Sequence, residues 1–165
     1  MPPRLPALAA LLGLGGLVPF LACGAGAVAL QGDWATRSLL ALLGYGACIL
    51  SFLGAVHWGL ALGGHDAPAG EAQPAGVLRA RLGLGVVPAL VAWAGLLVAF
   101  LGLPSAALGL LAAGFAGTVI VETQANRRHL LPPGYIWLRW VLSSVVVVVL
   151  AAVALAHVTG RSINF

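Results

Sequence analysis

Apolar residues along this chain occur in five long runs, separated by short connections that contain polar residues, Pro and Gly. The runs cover about residues 5–30, 34–63, 81–103, 105–126 and 133–158. Each reaches the ~20 residues that a helix needs to cross ~30 Å of hydrocarbon. Backbone N–H and C=O groups find no water inside a bilayer, and a helix satisfies them within the segment. The pattern therefore predicts an all-α protein, a bundle of five transmembrane helices.

The composition argues against any additional soluble part. The chain is 61% hydrophobic and 7% charged, and its mean hydropathy is +1.06. Soluble domains carry about 25% charged residues. The charges present are too few to cover a water-facing surface, so residues 1–165 are predicted to form a single integral membrane domain.

The distribution of arginine predicts how the bundle is oriented. The net charge is +4, but the basic residues are spread along the chain without a basic run, which argues against nucleic acid as a partner. With five spans, one side of the membrane receives six arginines: Arg4, Arg79, Arg81, Arg127, Arg128 and Arg139. The other side receives Arg37 and Arg161. The positive-inside rule then places the N-terminus and the two longer loops in the cytoplasm and the C-terminus outside.

The first apolar run is interpreted as a membrane helix that is retained. Its "FLAC" (20–23) is reminiscent of a lipoprotein cleavage site, but Phe20 and Leu21 stand where that site needs Leu and a small residue. The run also exceeds the apolar region of a signal peptide. Pro19 in this run and Pro88 in the third are expected to kink their helices, because proline removes a backbone hydrogen bond.

Small residues recur at every fourth position of the second helix. They are Ala47, Ser51, Ala55, Gly59 and Gly63. Helices inside a membrane associate by close packing, which small side chains permit. This stripe predicts a contact with another helix, either of this chain or of a second protein.

His57 stands out in the apolar stretch "ILSFLGAVHWG" (49–59), next to Trp58. It is two residues beyond Ala55, so it faces away from the small-residue stripe. Two interpretations remain open. His57 either meets lipid headgroups at the membrane boundary or belongs to a polar cluster inside the bundle.

Two further charges lie within predicted spans. Glu122 is on the same face of the fourth helix as Thr118, and Arg139 shares a face of the fifth helix with Ser143. A short loop joins these helices, so we expect antiparallel neighbours and a Glu122–Arg139 ion pair; for Glu122, snorkelling to the headgroups is the alternative. The candidate binding residues at this level of the membrane are His57, Trp58, Arg81, Glu122 and Arg139.

The sequence predicts no catalytic residue, no metal site and no cofactor. His57 and His157 lie near opposite ends of the bundle and cannot be paired haem ligands. His65 and His129 lack the spacing of zinc ligands. There is no phosphate-binding glycine loop with Lys and Ser or Thr, and no nucleophile has a base and an orienting group at recognisable spacing.

Three blocks resemble an uncharacterised membrane family, domain-of-unknown-function family 3429. They are "YGACILSFLGAVHWG" (45–59), "VVPALVAW" (86–93) and "PPGYIWLRWVLSSVVV" (132–147). The positions that match are Tyr45, Gly46, Ser51, Phe52, His57, Trp58, Pro88, Trp93, Leu138 and Arg139. The resemblance implies a small polytopic protein of bacterial inner or mitochondrial membranes, and it implies no known activity, ligand or cofactor.

Two functions are expected from these observations. The first is a non-catalytic accessory, assembly or interaction subunit of a larger complex in the bacterial inner membrane, with membrane lipids and other membrane-protein subunits or a second copy as partners. The alternative is a binding module or carrier for a lipid, a quinone or a small anion, which would use the polar cluster on the cytoplasmic side. The apolar midplane favours the first, because transporters usually bind substrate near the middle of the bilayer.

Overall fold

A computed structural model of the chain describes residues 7–62, 75–127 and 135–160. Every regular element in these ranges is a helix: α1 (Ala7–Gly15), α2 (Leu17–Ala29), α3 (Asp33–Leu62), α4 (Ala75–Phe100), α5 (Pro104–Arg127) and α6 (Tyr135–Val158). Five spans are long and apolar enough to cross a membrane, and α1 and α2 together provide the first of them. The predicted all-α bundle with five spans is confirmed. Its orientation in the membrane stays a prediction.

The first span is divided one turn before Pro19. Helix α1 ends at Gly15 and α2 begins at Leu17. Pro19 has no N–H to donate to the Gly15 carbonyl, and its ring crowds that carbonyl, so the helix is interrupted there. The neighbouring Gly16 carbonyl accepts a hydrogen bond of 3.0 Å from the hydroxyl of Tyr45 on α3. By contrast, α4 runs through Pro88 as one helix.

The third span differs from the predicted 81–103. Helix α4 already begins at Ala75. Arg81, which was expected at the start of the span, lies within the helix and is buried. The helix ends at Phe100, where Gly102 adopts a positive φ of 79°. The N–H of Leu103 then bonds to the Val98 carbonyl and that of Gly102 to the Ala99 carbonyl. This is a Schellman motif, and Pro104 directly starts α5.

The helices form a closed ring. Helix α3 packs against α2 and α4, α5 against α4 and α6, and α6 returns to α2, while α3 also touches α5 across the middle. Phe20 and Phe115 meet edge to face in the core with their ring centroids 5.9 Å apart. Leucines form much of the rest of this core, among them Leu39, Leu42, Leu43, Leu50, Leu108, Leu111 and Leu150, all at most 1% exposed.

Helices α3 and α4 cross most closely at two glycines. A Cβ placed on Gly54 would lie 2.5 Å from the carbonyl oxygen of Gly85, and a Cβ on Gly85 would overlap the Trp58 ring. The Gly54 clash is with backbone, so a larger residue there would push the two helices apart, whereas a larger residue at Gly85 would displace the Trp58 ring. This contact fixes how far α4 stands from α3, and therefore where Trp58 lies.

The predicted small-residue stripe winds around α3. Ala47 is buried and Ser51 half-buried, but Ala55 and Gly59 are exposed, and Gly63 lies outside the described residues. Steps of four residues advance ~40° around a helix beyond a full turn, which turns the stripe from the core to the outer surface. Within this chain the close contact is therefore made at Gly54. A contact of Ala55 and Gly59 with another chain stays a prediction.

Candidate functional site

Three helices bring polar side chains to one level of the bundle. His57 precedes the end of α3 at Leu62 by five residues, and Glu122 precedes the end of α5 at Arg127 by five. Arg139 follows the start of α6 at Tyr135 by four. At 1.5 Å of rise per residue, each lies about 6–8 Å from its helix end. All three positions fall inside the candidate membrane spans.

Glu122 and Arg139 form a buried bidentate ion pair. The Arg139 Nε donates to Glu122 Oε2 at 2.7 Å, and Nη2 donates to Oε1 at 3.3 Å. Glu122 is 1% exposed and Arg139 is 5% exposed. The ion pair that the sequence suggested is present, and Glu122 does not snorkel. Two parallel charge-assisted bonds orient both side chains, which a guanidinium achieves and an ammonium does not.

Hydroxyl groups complete the surroundings of the guanidinium. Nη2 of Arg139 also donates to Thr118 Oγ1, and Nη1 donates to Ser143 Oγ, both at 3.3 Å. Thr118 in turn donates to the Phe115 carbonyl at 2.8 Å. Arginine has five N–H donors, and these contacts use four of them. A charge inside a membrane is costly, and this network offsets much of that cost.

His57 joins the cluster from the side of α3. Its Nε2 lies 3.6 Å from Glu122 Oε1, and the residue is 6% exposed. This distance exceeds that of a hydrogen bond, so the contact is an electrostatic one. His57 therefore faces the bundle interior and not the headgroups. Next to it, the charges of Glu122 and Arg139 cancel one another.

The other two predicted residues make separate contacts. Trp58 is 43% exposed and donates from Nε1 to the Leu82 carbonyl at 3.1 Å, so it links α3 to α4. Arg81 is 5% exposed and also takes part in an interaction. Among the described residues, the contacts that join the cluster are made by His57, Thr118, Glu122, Arg139 and Ser143. The predicted binding role of the five residues stays a prediction.

A second polar link lies beside the ion pair. Trp140 donates from Nε1 to Thr123 Oγ1 at 3.1 Å, again between α5 and α6. Sequence reasoning did not propose this bond, although Thr123 and Trp140 directly follow Glu122 and Arg139. Thr118 and Ser143 were placed on the correct faces but left out of the candidate set. Their spacing of four residues from a charge is the pattern that identifies them.

Two apolar crevices border the cluster. One has a volume of ≈ 430 Å³, and its only charged or hydroxyl-bearing lining residues are Arg139 and Ser143. The other, of ≈ 310 Å³, lies between α3, α4 and α5 and includes His57 and Thr118 in its wall. Within the described ranges, no three His, Cys, Asp or Glu residues are grouped to hold a metal ion. The arrangement can therefore hold helices together and donate hydrogen bonds into apolar space.

Comparison with known proteins gives two matches. The model of a family described as "Protein of unknown function (DUF3429)" matches residues 5–155. Transmembrane protein 69 of Xenopus tropicalis is 39% identical over 92 residues, which are 56% of this chain and 33% of that relative. The matched region thus spans about a third of the relative's length. No solved structure matches the chain.

Proposed function

Because the chain belongs to the DUF3429 family, whose description names no activity, we propose a function from the surface of the bundle. The protein is a multi-pass membrane protein with five apolar helices. We propose that it is a non-catalytic accessory, assembly or interaction subunit of a larger membrane complex. Its partner would be another membrane protein that packs a helix against α3.

The outer surface of α3 carries this proposal. Ala55 and Gly59 are exposed, and a Cβ on Gly59 would meet nothing within 4 Å. Cys48 is exposed on the same helix, two turns before Ala55. Small residues on a lipid-facing surface let the backbone of a second helix approach closely, which is how helices associate in a membrane.

The buried cluster supports the same function. Its charged groups bond mainly to one another, and Glu122 has both carboxylate oxygens engaged. Such a network stabilises the relative positions of α3, α5 and α6. A rigid bundle then presents the outer surface of α3 in one fixed geometry, which suits a subunit that recognises a partner by shape.

A matched pair of glycine substitutions tests the proposal. Gly59→Leu places a large side chain on the outer surface of α3, where it would block a close helix contact. Gly109→Leu is the control, because it adds the same side chain to the exposed surface of α5, where there is also open space. The protein is purified in gentle detergent from its native host, and stoichiometric partners are identified by native mass spectrometry. We expect Gly59→Leu to lose the partner and Gly109→Leu to keep it.

Two results would count against this function. A wild-type protein that is monodisperse and carries no second polypeptide has no subunit partner. A partner that both leucine variants retain equally does not use this surface of α3. Mixing two differently tagged copies shows whether the partner is a second copy, which would favour self-association over a role in a larger complex.

We also propose that the N-terminus is cytoplasmic, that the C-terminus is outside and that the protein resides in the bacterial inner membrane. The charge of Arg139 is balanced by Glu122, so it contributes little to orientation. Without it, five arginines still flank the predicted cytoplasmic side, against two on the other side. The matched relative is a frog protein, so a eukaryotic organelle is the competing location, and membrane fractionation of the native host distinguishes the two.

A further inference from the structure

The larger crevice is a lipid-facing opening that reaches the buried cluster. Its mouth lies between the first span and α3, where Leu12 is 67% exposed and Phe52 is 64% exposed. Its inner wall includes Phe20 and Phe115, each 1% exposed. All of its lining residues fall at the depth of the candidate membrane spans, so molecules dissolved in the lipid have direct access.

The crevice has one polar end. Arg139 and Ser143 line it there, and the lining continues along α6 to Val146, about 10 Å deeper at 1.5 Å per residue. Ser143 Oγ accepts a bond from Arg139, and its own hydrogen is donated to none of the described residues. Nη1 of Arg139 makes this one bond at 3.3 Å and carries a second N–H. The polar end therefore offers hydrogen-bond donors to an acceptor on a ligand.

The charges of the cluster select a neutral ligand. The Arg139 guanidinium is already balanced by the Glu122 carboxylate 2.7 Å away, and His57, on the far side of that carboxylate, does not line this crevice. An anion placed at the polar end would lose its hydration without gaining a free counter-charge, which is unfavourable in a buried site. A small anion and the phosphate of a phospholipid are both disfavoured on this ground. A neutral carbonyl oxygen needs only the donors that are present.

The walls and the volume of the crevice further restrict the class of ligand. Phe52, which is 64% exposed, offers an aromatic face that packs well against a planar ring, and the buried rings of Phe20 and Phe115 close the inner wall. Its ≈ 430 Å³ falls in the range of small-molecule pockets, about 300–1,000 Å³, and these pockets are mostly apolar with few polar groups. A neutral planar ring with carbonyl oxygens and one apolar chain fits this description better than a phospholipid with two chains and a charged headgroup.

We propose that this crevice binds an isoprenoid quinone. One ring carbonyl accepts hydrogen bonds from Ser143 and Arg139, the ring packs against the apolar wall, and the isoprenoid chain leaves through the mouth near Leu12 and Phe52. This site uses neither Trp58 nor Arg81, and it requires no protein partner, so it stands apart from the function proposed for the surface of α3.

Two substitutions with matched controls test the site. Gly13 lines the crevice, so Gly13→Leu fills it, whereas Gly15 on the same helix has open space around it and lies outside the lining. Ser143→Ala removes a donor, and Ser144→Ala changes the exposed neighbouring serine. The full chain in nanodiscs of neutral phosphatidylcholine is titrated with short-chain ubiquinone and menaquinone analogues, and the dissociation constant is measured by calorimetry.

We expect Gly13→Leu to weaken quinone binding at least tenfold and Gly15→Leu to change it less than twofold. Ser143→Ala should weaken binding about two- to tenfold, the equivalent of one hydrogen bond, with Ser144→Ala unchanged. Circular dichroism checks that each variant is folded. If Gly13→Leu does not fold, the two serine variants decide the question.

The proposal is overturned if the members of each pair bind the quinone analogues equally, or if wild-type protein binds neither analogue. Native mass spectrometry of protein purified in gentle detergent separates quinone from bilayer lipid. A quinone mass that is retained in Gly15→Leu and lost in Gly13→Leu supports the proposal. If instead a phospholipid mass is retained in Gly15→Leu and lost in Gly13→Leu, and no quinone binds, the crevice holds bilayer lipid and the proposal is overturned.

Discussion

Removing one member of the buried ion pair should destabilise the bundle strongly. In Glu122→Gln, the side chain keeps its shape but loses its charge. The Arg139 guanidinium then stays buried beside an amide that offers one acceptor oxygen, where the carboxylate offered two at 2.7 and 3.3 Å. Arg139→Gln leaves the converse problem, a carboxylate that is 1% exposed and has lost its main donor.

The magnitude follows from the distances and the burial. Opposite unit charges about 4 Å apart attract by about 4 kcal/mol at an effective dielectric constant of about 20. Breaking a buried pair by removing one partner costs about 3–5 kcal/mol, whereas neutral residues at both positions avoid the uncompensated charge. We therefore expect each single variant to lose about 3–5 kcal/mol. The double variant that carries both Glu122→Gln and Arg139→Gln should lose less free energy of unfolding than the sum of the two single losses, and the coupling energy should be about 2 kcal/mol.

The assay is reversible unfolding of the detergent-solubilised protein by sodium dodecyl sulfate, followed by circular dichroism. A double-mutant cycle on Glu122 and Arg139 gives the coupling energy directly. Gln124→Ala on the exposed side of α5 is the control, and its free energy of unfolding should change by less than about 0.5 kcal/mol. Additive losses, with a coupling energy below about 0.5 kcal/mol, would refute the argument that the pair stabilises the bundle.

Three further outcomes follow from the fold. Gly54→Ala should lower the free energy of unfolding by about 1–3 kcal/mol, because its Cβ would press on the Gly85 carbonyl. The control Gly44→Ala, which has open space around it, should not lower it, and equal losses in the same unfolding assay would contradict this prediction. Tyr45→Phe should lose about 0.5–1.5 kcal/mol by removing the bond to the Gly16 carbonyl, and unchanged stability would mean that this bond contributes nothing. A reporter enzyme that is active only outside the cytoplasm should be active at the C-terminus and inactive at the N-terminus, and the opposite result would reverse the proposed orientation.

The polar cluster could be predicted because it depends on simple geometry. Glu122 and Arg139 lie at similar depths on antiparallel helices joined by a short loop, so their meeting required only the helical rise. Whether His57 faced this pair was open, because the rotation of α3 depends on packing that the sequence does not specify. The contact between Gly54 and Gly85 fixes that rotation and turns His57 towards Glu122.

The predicted packing stripe illustrates why the remaining contacts were missed. A spacing of four residues is read as one face, yet an α-helix repeats every 3.6 residues. Over the eight residues from Ala47 to Ala55 the difference amounts to ~80°, enough to move from the core to the outer surface. The division of the first span before Pro19 was predicted as a kink, but only the structure shows Tyr45 bonded beside it.

The ion pair also bears on how the chain enters the membrane. Glu122 and Arg139 are 17 residues apart, on two helices joined by the short segment between Arg127 and Tyr135. A single charged residue costs about 2.5–3.5 kcal/mol at the centre of a helix on the scale derived from insertion by the translocon, and less at the depth of Glu122 and Arg139 near their helix ends. If helices α5 and α6 leave the translocon together as one hairpin, the ion pair is already formed. The hairpin then presents a neutral unit to the lipid. Biogenesis of this protein should therefore depend on the last two spans being inserted jointly, and a released chain truncated before Arg139 should insert its fourth span less efficiently than the full-length protein.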